Sequence, residues 1–436
     1  MSTPLYDALC AFVQSDPLRM HMPGHKGKLI PMAQYDALAP LDLTELPPTG
    51  NLYDGGDVIE QAEQLWARAF GMDGCLFLTG GATQGLHTAL ALTARPGDTV
   101  LVDRGCHRSV FHAMGLLDLH PVYLSRPWLS GPGVTGPISP EEVEQALSSR
   151  PEIKTVCITS PTYYGVLSDI PAISRVCRRH GARLVVDGAH GAHLPFLGDL
   201  SHSAADVLVV SAHKTLPAPG QSALLFVNGI SMEQVRPMAA VFGTSSPSYP
   251  MLAALDCVRD WMEKEGHRVY AQTAQWIADL RGRTPSLTPA DTRLDPTRYV
   301  LCCEDGFGLQ QKLQQRGIWP EMADVGHVVC IMTCADSRQD VDRLERALEE
   351  LALPDRPRMF LEPPPPARQV CSMRQALFAP VEHLDLEQAE GRVAAQGVAP
   401  YPPGVPVIAP GEAVDKKLLS YLRKLGYNSR IAVIAQ

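Results

Sequence analysis

The chain has 436 residues, a formal net charge of −9, 45% hydrophobic residues and 19% charged residues. That length supports one large cored domain with one or two smaller ones, and the composition is that of a globular protein, not a disordered one. No lysine- and arginine-rich run offers the basic patch that a nucleic acid or an anionic membrane would want, and no stretch of about eighteen apolar residues could span a bilayer.

The N-terminus, Met1 to Pro17, carries Asp7 and Asp16 and no early basic cluster, unlike a secretory signal. Residues 4–16 have the apolar spacing of a short amphipathic helix. Residues 17–56, rich in Pro, Gly and Asp, read as extended or looped chain. A helix is expected over Val58–Phe70, stopping at Gly71. Apolar strand candidates then follow at Cys75–Thr79, Thr99–Asp103, Pro121–Leu124, Lys154–Thr159, Arg183–Asp187, Asp206–Ser211 and Ser222–Val227. Helical patterns at Thr83–Thr93, Ser109–Leu117, Pro140–Ser149 and Ile170–His180 separate most of them. This alternation predicts an α/β sheet, mostly parallel and buried on both faces. Only a short loop separates the last two candidates, so one of them is expected to run antiparallel.

A long helical stretch follows over Tyr249–Arg281, and Thr284–Thr297, with Pro285, Pro289 and Pro296, looks like a boundary. Strands are expected at Arg298–Cys303 and His327–Thr333, and helices at Leu309–Arg316 and Arg338–Leu351. The run Pro363–Pro366 suits a polyproline linker. The resulting division is an N-terminal segment over 1–56, a large domain over 57–290, and a C-terminal domain over 291–436 with a proline-rich linker near 354–366. The 11 cysteines include no CxxC pair; Cys75, Cys157 and Cys257 sit among apolar residues and read as reduced core thiols, which points to the cytosol.

Four polar clusters each follow a strand candidate. Ser211-Ala212-His213-Lys214-Thr215 delivers a lysine at a strand's carboxyl end, where open α/β sheets place ligands. A lysine that forms a Schiff base must be fixed and partly desolvated, although a solvated strand-end lysine has the same local sequence. Asp187-Gly188-Ala189-His190 ends another strand in an acid. A protonated pyridine nitrogen needs such a carboxylate, and an aspartate capping a turn is the plain alternative. Thr79-Gly80-Gly81-Ala82-Thr83-Gln84-Gly85 opens a helix with small residues, which lets backbone N–H groups approach a phosphate. It is neither a Walker loop nor a full dinucleotide fingerprint, and alone it is equally a tight turn. His107, in Asp103-Arg104-Gly105-Cys106-His107-Arg108-Ser109, could stack on an aromatic ring or lie in a surface loop. Nothing in the sequence pairs Cys106 with an activating base. In a parallel sheet all four clusters converge on one edge, which implies a phosphate-bearing aromatic cofactor.

These residues resemble the ornithine/lysine/arginine decarboxylases of the fold-type-I pyridoxal-phosphate enzymes, in the shorter form that lacks an N-terminal wing domain. The resemblance rests on PLYDALCAF…RMHMPGHKG (Pro4 to Gly27), DLTELPPTGNL (Asp42 to Leu52), CHRSV (Cys106 to Val110) and VVDGAHGAH (Val185 to His193). It continues in SAHKTLPAPGQ (Ser211 to Gln221), TSSPSYPMLAALD (Thr244 to Asp256) and PYPPGVPVIAPGE (Pro400 to Glu412), so it spans nearly the whole chain. It implies a mostly parallel seven-stranded sheet with helices on both faces, plus a smaller α+β C-terminal domain. It further implies pyridoxal 5'-phosphate as cofactor and decarboxylation of lysine, arginine or ornithine to the amine.

In that reading Lys214 carries the cofactor, Asp187 pairs with its ring nitrogen, His190 lies beside it and His107 stacks on it. Gly81, Ala82, Thr83, Ser211 and His213 hold the phosphate, and Ser245, in TSSPSY, reaches in from the partner of a cytoplasmic homodimer. Lys214 or His213 returns the proton to the substrate Cα. Glu412, Glu45 and Asp42 are the acids offered to a basic substrate side chain; each is otherwise a solvated carboxylate or a cap. Ala82 stands where the family often has serine, Arg108 where many members carry lysine, and PAPGQ replaces a commoner PALTQ. Two other readings share the motifs: transamination, with Arg368, Arg374 or Arg392 holding the substrate carboxylate, and a catalytically quiet cofactor-binding protein.

Overall fold

A computed structural model describes residues 3–354, 362–399 and 405–436. Residues 355–361 of the expected linker and Pro400 to Gly404 of the PYPPG motif lie outside the described residues. Seven strands form the main sheet: β1 Gly74–Leu78, β2 Thr99–Asp103, β3 His120–Leu124, β4 Thr155–Thr159, β5 Arg183–Asp187, β6 Val207–Val210 and β7 Ala223–Val227. Their order is β1-β7-β6-β5-β4-β2-β3. Strands β2, β3, β4 and β5 pair in parallel, and β7 runs antiparallel to both of its neighbours. Apart from the edge strand β3, these strands are almost wholly buried and mainly apolar, as a sheet covered on both faces requires.

The chain divides into two compact units, one comprising Met1–Leu92 and Gly188–Ala271, the other Thr93–Asp187 and Gln272–Gln436. In the first unit, helix Pro4–Gln14 buries Leu5 and Leu9, and its first N–H groups donate to Asp256 Oδ2 at 3.0 and 3.2 Å, where a carboxylate complements the helix dipole. Helix Val58–Phe70 has the expected bounds. Asp57 caps its start by accepting from Ile59 and Glu60 N–H, and Gly71, at φ +66°, ends it in the left-handed conformation that glycine tolerates. Because β7 opposes both β1 and β6, those two strands point the same way. Their carboxyl ends, Leu78 and Val210, sit beside the start of β7 at Ala223 and Leu224.

The expected long helix is interrupted. Tyr249–Trp261 and His267–Arg281 are α-helical, with a wider turn over Met262–Gly266 between them. A side chain on Gly266 would press against Phe196 at 3.1 Å, so the close approach there needs glycine. Helix Met232–Phe242, with Pro237 inside it, is an element the sequence did not suggest.

In the second unit a three-stranded antiparallel sheet is built from β8 Arg298–Cys302, β9 Met322–Ala323 and β10 His327–Ile331, in the order β8-β10-β9. Helices Gly306–Gln315 and Arg338–Leu351 bury Leu313, Val341 and Leu348 with Tyr299, Leu301 and Val328 of this sheet. A last hairpin-like pair, β11 Val381–Leu384 with β12 Ile431–Ile434, packs with helix Lys416–Lys424 around Ile408, Leu418 and Leu422. Among the described residues no helix is long and apolar enough to cross a membrane.

Candidate active site

In the first unit the carboxyl end of β6 runs into a single helical turn, Ala212–Thr215, with Ser211 as its N-cap. Ser211 is buried yet its hydroxyl makes no capping bond, which leaves it available to a ligand. Lys214 is partly buried, and its Nζ lies 3.1 Å from Nε2 of the buried His190. His190 is placed by the turn after β5: Gly188 N–H donates to Val209 O at 2.8 Å, and a Cβ on Gly188 would strike Leu208 at 2.7 Å. His213 donates from Nδ1 to Ser222 O at 2.9 Å, so Nδ1 carries a proton and the ring is held by it. Tyr270 donates its hydroxyl to Thr215 O and braces the same turn.

Across β7, at the carboxyl end of β1, Gly80 and Gly81 turn the chain into helix Gly81–Thr93, with Gly81 at φ +68°. The N–H groups of Gly81, Ala82 and Thr83 point out of the first helical turn, where no intrahelical acceptor exists. Thr79 Oγ1, just before the turn, is buried without a partner, and Thr79 O accepts from Gln221 Nε2. Gln221, in the unusual PAPGQ loop, adopts φ +78° and closes that loop onto the glycine-rich turn. Ser245 lies on an exposed loop between helices Met232–Phe242 and Tyr249–Trp261. Asp42 and Glu45 are partly buried. Asp42 Oδ2 lies 3.2 Å from His25 Nε2, while His25 Nδ1 accepts from Gly27 N–H at 3.0 Å; Glu45 accepts from the Thr44 hydroxyl at 2.5 Å.

In the second unit Asp187 ends β5 in register with Thr159 of β4 and is buried. His107 caps helix Arg108–Leu117: its Nδ1 accepts from Ser109 N–H at 3.3 Å and lies 2.8 Å from Ser109 Oγ. Asp103, at the end of β2, is fully buried and holds the turn that leads to His107. It accepts from Gly105 N–H at 2.8 Å and binds Arg126 through both carboxylate oxygens, the shortest contact being 2.6 Å. Cys106 is buried, and burial, followed by the nearby Asp103 carboxylate, pushes its thiol well above the usual range, so it is no nucleophile. Glu412 is buried against Arg104 at 3.0 Å and Ala409 N–H at 2.6 Å. Arg104 also grips Pro406 O and Val407 O and stacks over Phe111 and Tyr123.

The structure thus brings Lys214 and His190 into contact and sets Ser211 and the glycine-rich turn at the ends of β6 and β1, on either side of β7. It brings Glu412 to Arg104, a partner that sequence reasoning missed because the two lie far apart in the chain. Of the arginines considered for a carboxylate, Arg374 donates to Leu116 O at 2.9 Å, Arg392 to Glu382 at 2.8 Å and Ile434 O at 2.9 Å, and Arg368 is exposed.

The sheet and its lysine-bearing turn define a fold-type-I pyridoxal-phosphate enzyme. The structure superposes on the lysine decarboxylase LdcF of Francisella novicida with a TM-score of 0.84 at 20% identity, over 99% of this chain and 81% of that one. The sequence pattern described as "Orn/Lys/Arg decarboxylase, major domain" matches residues 3–297, and that of the corresponding C-terminal domain matches 357–430. An arginine decarboxylase of Bacillus cereus is 30% identical, over 94% of this chain and 96% of that protein. The uncharacterized protein YaaO of Bacillus subtilis is 31% identical, over 98% and 94%. The chain belongs to the Orn/Lys/Arg decarboxylase family. It is an amino-acid carboxy-lyase whose cofactor is pyridoxal 5'-phosphate.

The residues present fit that cofactor. Unclaimed N–H groups at a helix start, an uncapped serine hydroxyl and an unpartnered threonine hydroxyl suit a phosphate ester. A fixed lysine amine suits an aldehyde.

Proposed function

We propose that Lys214, Asp187, His190 and His107 carry out the decarboxylation of a basic L-amino acid, with arginine as the first substrate to test. The observation that carries this reading is the Lys214–His190 contact at the carboxyl end of β6. An ammonium is not a nucleophile. A neutral His190 accepts a proton from Lys214 Nζ through Nε2 and leaves the amine able to bind an aldehyde. When bound, pyridoxal phosphate supplies an electron sink for the pair left behind as the substrate carboxylate departs. Asp187 is the carboxylate that keeps the ring nitrogen protonated, and His107 is the ring-stacking residue. Gly81, Ala82, Thr83, Ser211 and His213 hold the phosphate. With Ala82 in place of a serine, this turn offers the phosphate backbone N–H and one hydroxyl fewer. Lys214 Nζ or His213 Nε2 then returns a proton to the substrate Cα.

Of Asp42, Glu45 and Glu412, the acids considered for the basic end of the substrate, Glu412 is already held by Arg104, which leaves Asp42 and Glu45 for that role. The relatives near 30% identity favour arginine. Arg374 and Arg392 are bonded elsewhere, which weighs against a transaminase-like carboxylate clamp.

We infer a homodimer as well. Leu18, Met20 and Leu29, in the arm after the first helix, are more than three-quarters exposed, a cost that a second copy would remove. Ser245, on its exposed loop, is the residue that reaches the partner's cofactor. The cysteines are all free thiols, which supports a reducing, cytoplasmic setting.

The test is carbon dioxide and amine release from arginine, lysine and ornithine by the cofactor-loaded protein. Release from one of them, abolished in Lys214→Ala, is expected. Keto-acid formation in place of carbon dioxide would replace this reading with transamination, and no turnover of any amino acid would leave a quiet cofactor-binding protein.

A further inference from the structure

Gln84 is 2% exposed and sits one residue beyond the N–H groups offered to the phosphate. Its side-chain amide is completely used. Oε1 accepts from Gly80 N–H at 2.8 Å, and Nε2 donates to Tyr53 OH at 3.2 Å and to Ala239 O at 3.1 Å. These three partners belong to three separate segments: the glycine-rich turn, the end of the DLTELPPTGNLYDGG loop, and helix Met232–Phe242. That helix leads through Gly243 into the loop that carries Ser245. A Cβ on Gly243 would lie 2.0 Å from Tyr53 OH and 2.3 Å from Gln84 Nε2, so the chain passes directly over the amide. His87, one helical turn on, meets Phe242 edge to face at 5.6 Å and fastens the same junction.

The consequence for the turn is specific. Without an acceptor in the chain, the partly buried Gly80 N–H would compete with its neighbours for any anion. Gln84 removes it from that competition and fixes the backbone so that Gly81, Ala82 and Thr83 N–H face outward together. We infer that Gln84 is a positioning residue for the phosphate of the cofactor, holding the turn in a phosphate-ready shape and linking it to Tyr53 and to the loop bearing Ser245. This rests on the assignment of the glycine-rich turn to the phosphate. The Gln84 amide is bonded to Gly80, Tyr53 and Ala239, so it acts on the phosphate through the turn.

The experiment compares pyridoxal phosphate with pyridoxal, which lacks the phosphate, as ligands of the cofactor-free full-length protein, by absorbance titration. Gln84→Leu keeps the bulk and removes every hydrogen bond. It is expected to weaken pyridoxal phosphate about tenfold, on the scale of the hydrogen bonds lost at the turn, and to leave pyridoxal within about threefold. Tyr53→Phe, which deletes one partner on a partly buried side chain, is expected to show the same selectivity at a smaller factor and guards against a Gln84 variant that does not fold. Equal weakening of both ligands, or of neither, in folded variants would overturn the inference. Equal affinity of the unaltered protein for the two ligands would instead overturn the assignment of the phosphate to this turn.

Discussion

In the second unit Asp103 receives Nε and a terminal nitrogen of Arg126 together with the N–H groups of Gly105 and Thr159, and Arg126 donates again to Gly136 O and Thr159 O. Glu412 there is held by Arg104 and Ala409 N–H. In the first unit the strand ends carry neutral groups with bonds still to make: the uncapped Ser211, the Thr79 and Thr215 hydroxyls, and the N–H fan of Gly81 to Thr83. Thr159 Oγ1, beside Asp103, and the Tyr123 hydroxyl near the end of β3 are exceptions in the second unit. A buried charge is tolerable only when paired, whereas an unpaired neutral donor costs a smaller amount that a ligand can recover. The paired acids are therefore scaffold, and the open donors mark where a ligand completes the structure.

The strongest way to break this contrast is to break the pair. Arg126→Met leaves Asp103 buried without a counter-charge, and side-chain exposure of the two is only 3% and 0%. The expected loss is about 3–5 kcal/mol of stability, read from the midpoint of urea unfolding, in cofactor-free protein as much as in loaded protein. A loss confined to cofactor affinity, with an unchanged midpoint, would place Arg126 among the ligand-binding groups and dissolve the contrast.

The strand ends were legible in the sequence because each couples an apolar β-branched run to an abrupt polar cluster. Thr99–Asp103 and Arg183–Asp187 have the bounds their residues suggest. Helices Val58–Phe70, Pro140–Ser149 and Arg338–Leu351 do too, since Asp57, Ser139 and Ser337 are local caps. Other features are not local. Pro237 masks helix Met232–Phe242, and β11 finds its partner β12 only at the far end of the chain. The strand-end positions of Lys214, Asp187 and the glycine-rich turn could be read from the sequence. Gln84's three partners, the Asp103–Arg126 pair and the Arg104–Glu412 pair could not, because periodicity carries no information about which distant groups meet.

A smaller effect with a pH signature comes from another charge of the second unit. His327 donates from Nδ1 to Asp324 at 3.0 Å and from Nε2 to Pro132 O at 2.7 Å, so both ring nitrogens carry protons. Burial alone would push the imidazolium down, but hydrogen bonds to Asp324 and Cys302 outweigh it and raise the value to about 10. The folded value lies above the unfolded one of about 6.5, so the stabilisation is complete below that pH and is lost as pH rises towards about 10. His327→Gln should cost about 2–3 kcal/mol near pH 6 and flatten the alkaline decline in stability between about pH 6.5 and 10. An unchanged alkaline limb would assign that decline to other groups.

The smallest effect should have the opposite sign, and it tests the open side of the contrast. Thr79 is 4% exposed, and its hydroxyl has no partner, while its carbonyl is held by Gln221. Thr79→Val keeps the shape and the β-branch that suit a strand end and removes only the unsatisfied oxygen. The cofactor-free protein should become more stable by about 1 kcal/mol, because a buried hydroxyl without a bond is a liability that a methyl group lacks. Pyridoxal phosphate should bind the variant more weakly than it binds the unaltered chain, so that the gain in stability shrinks when the cofactor is present. Urea unfolding with and without pyridoxal phosphate reads both quantities in one experiment. A variant less stable than its parent without cofactor would mean that the hydroxyl is bonded in solution, and Thr79 would then join Asp103 on the side of the scaffold.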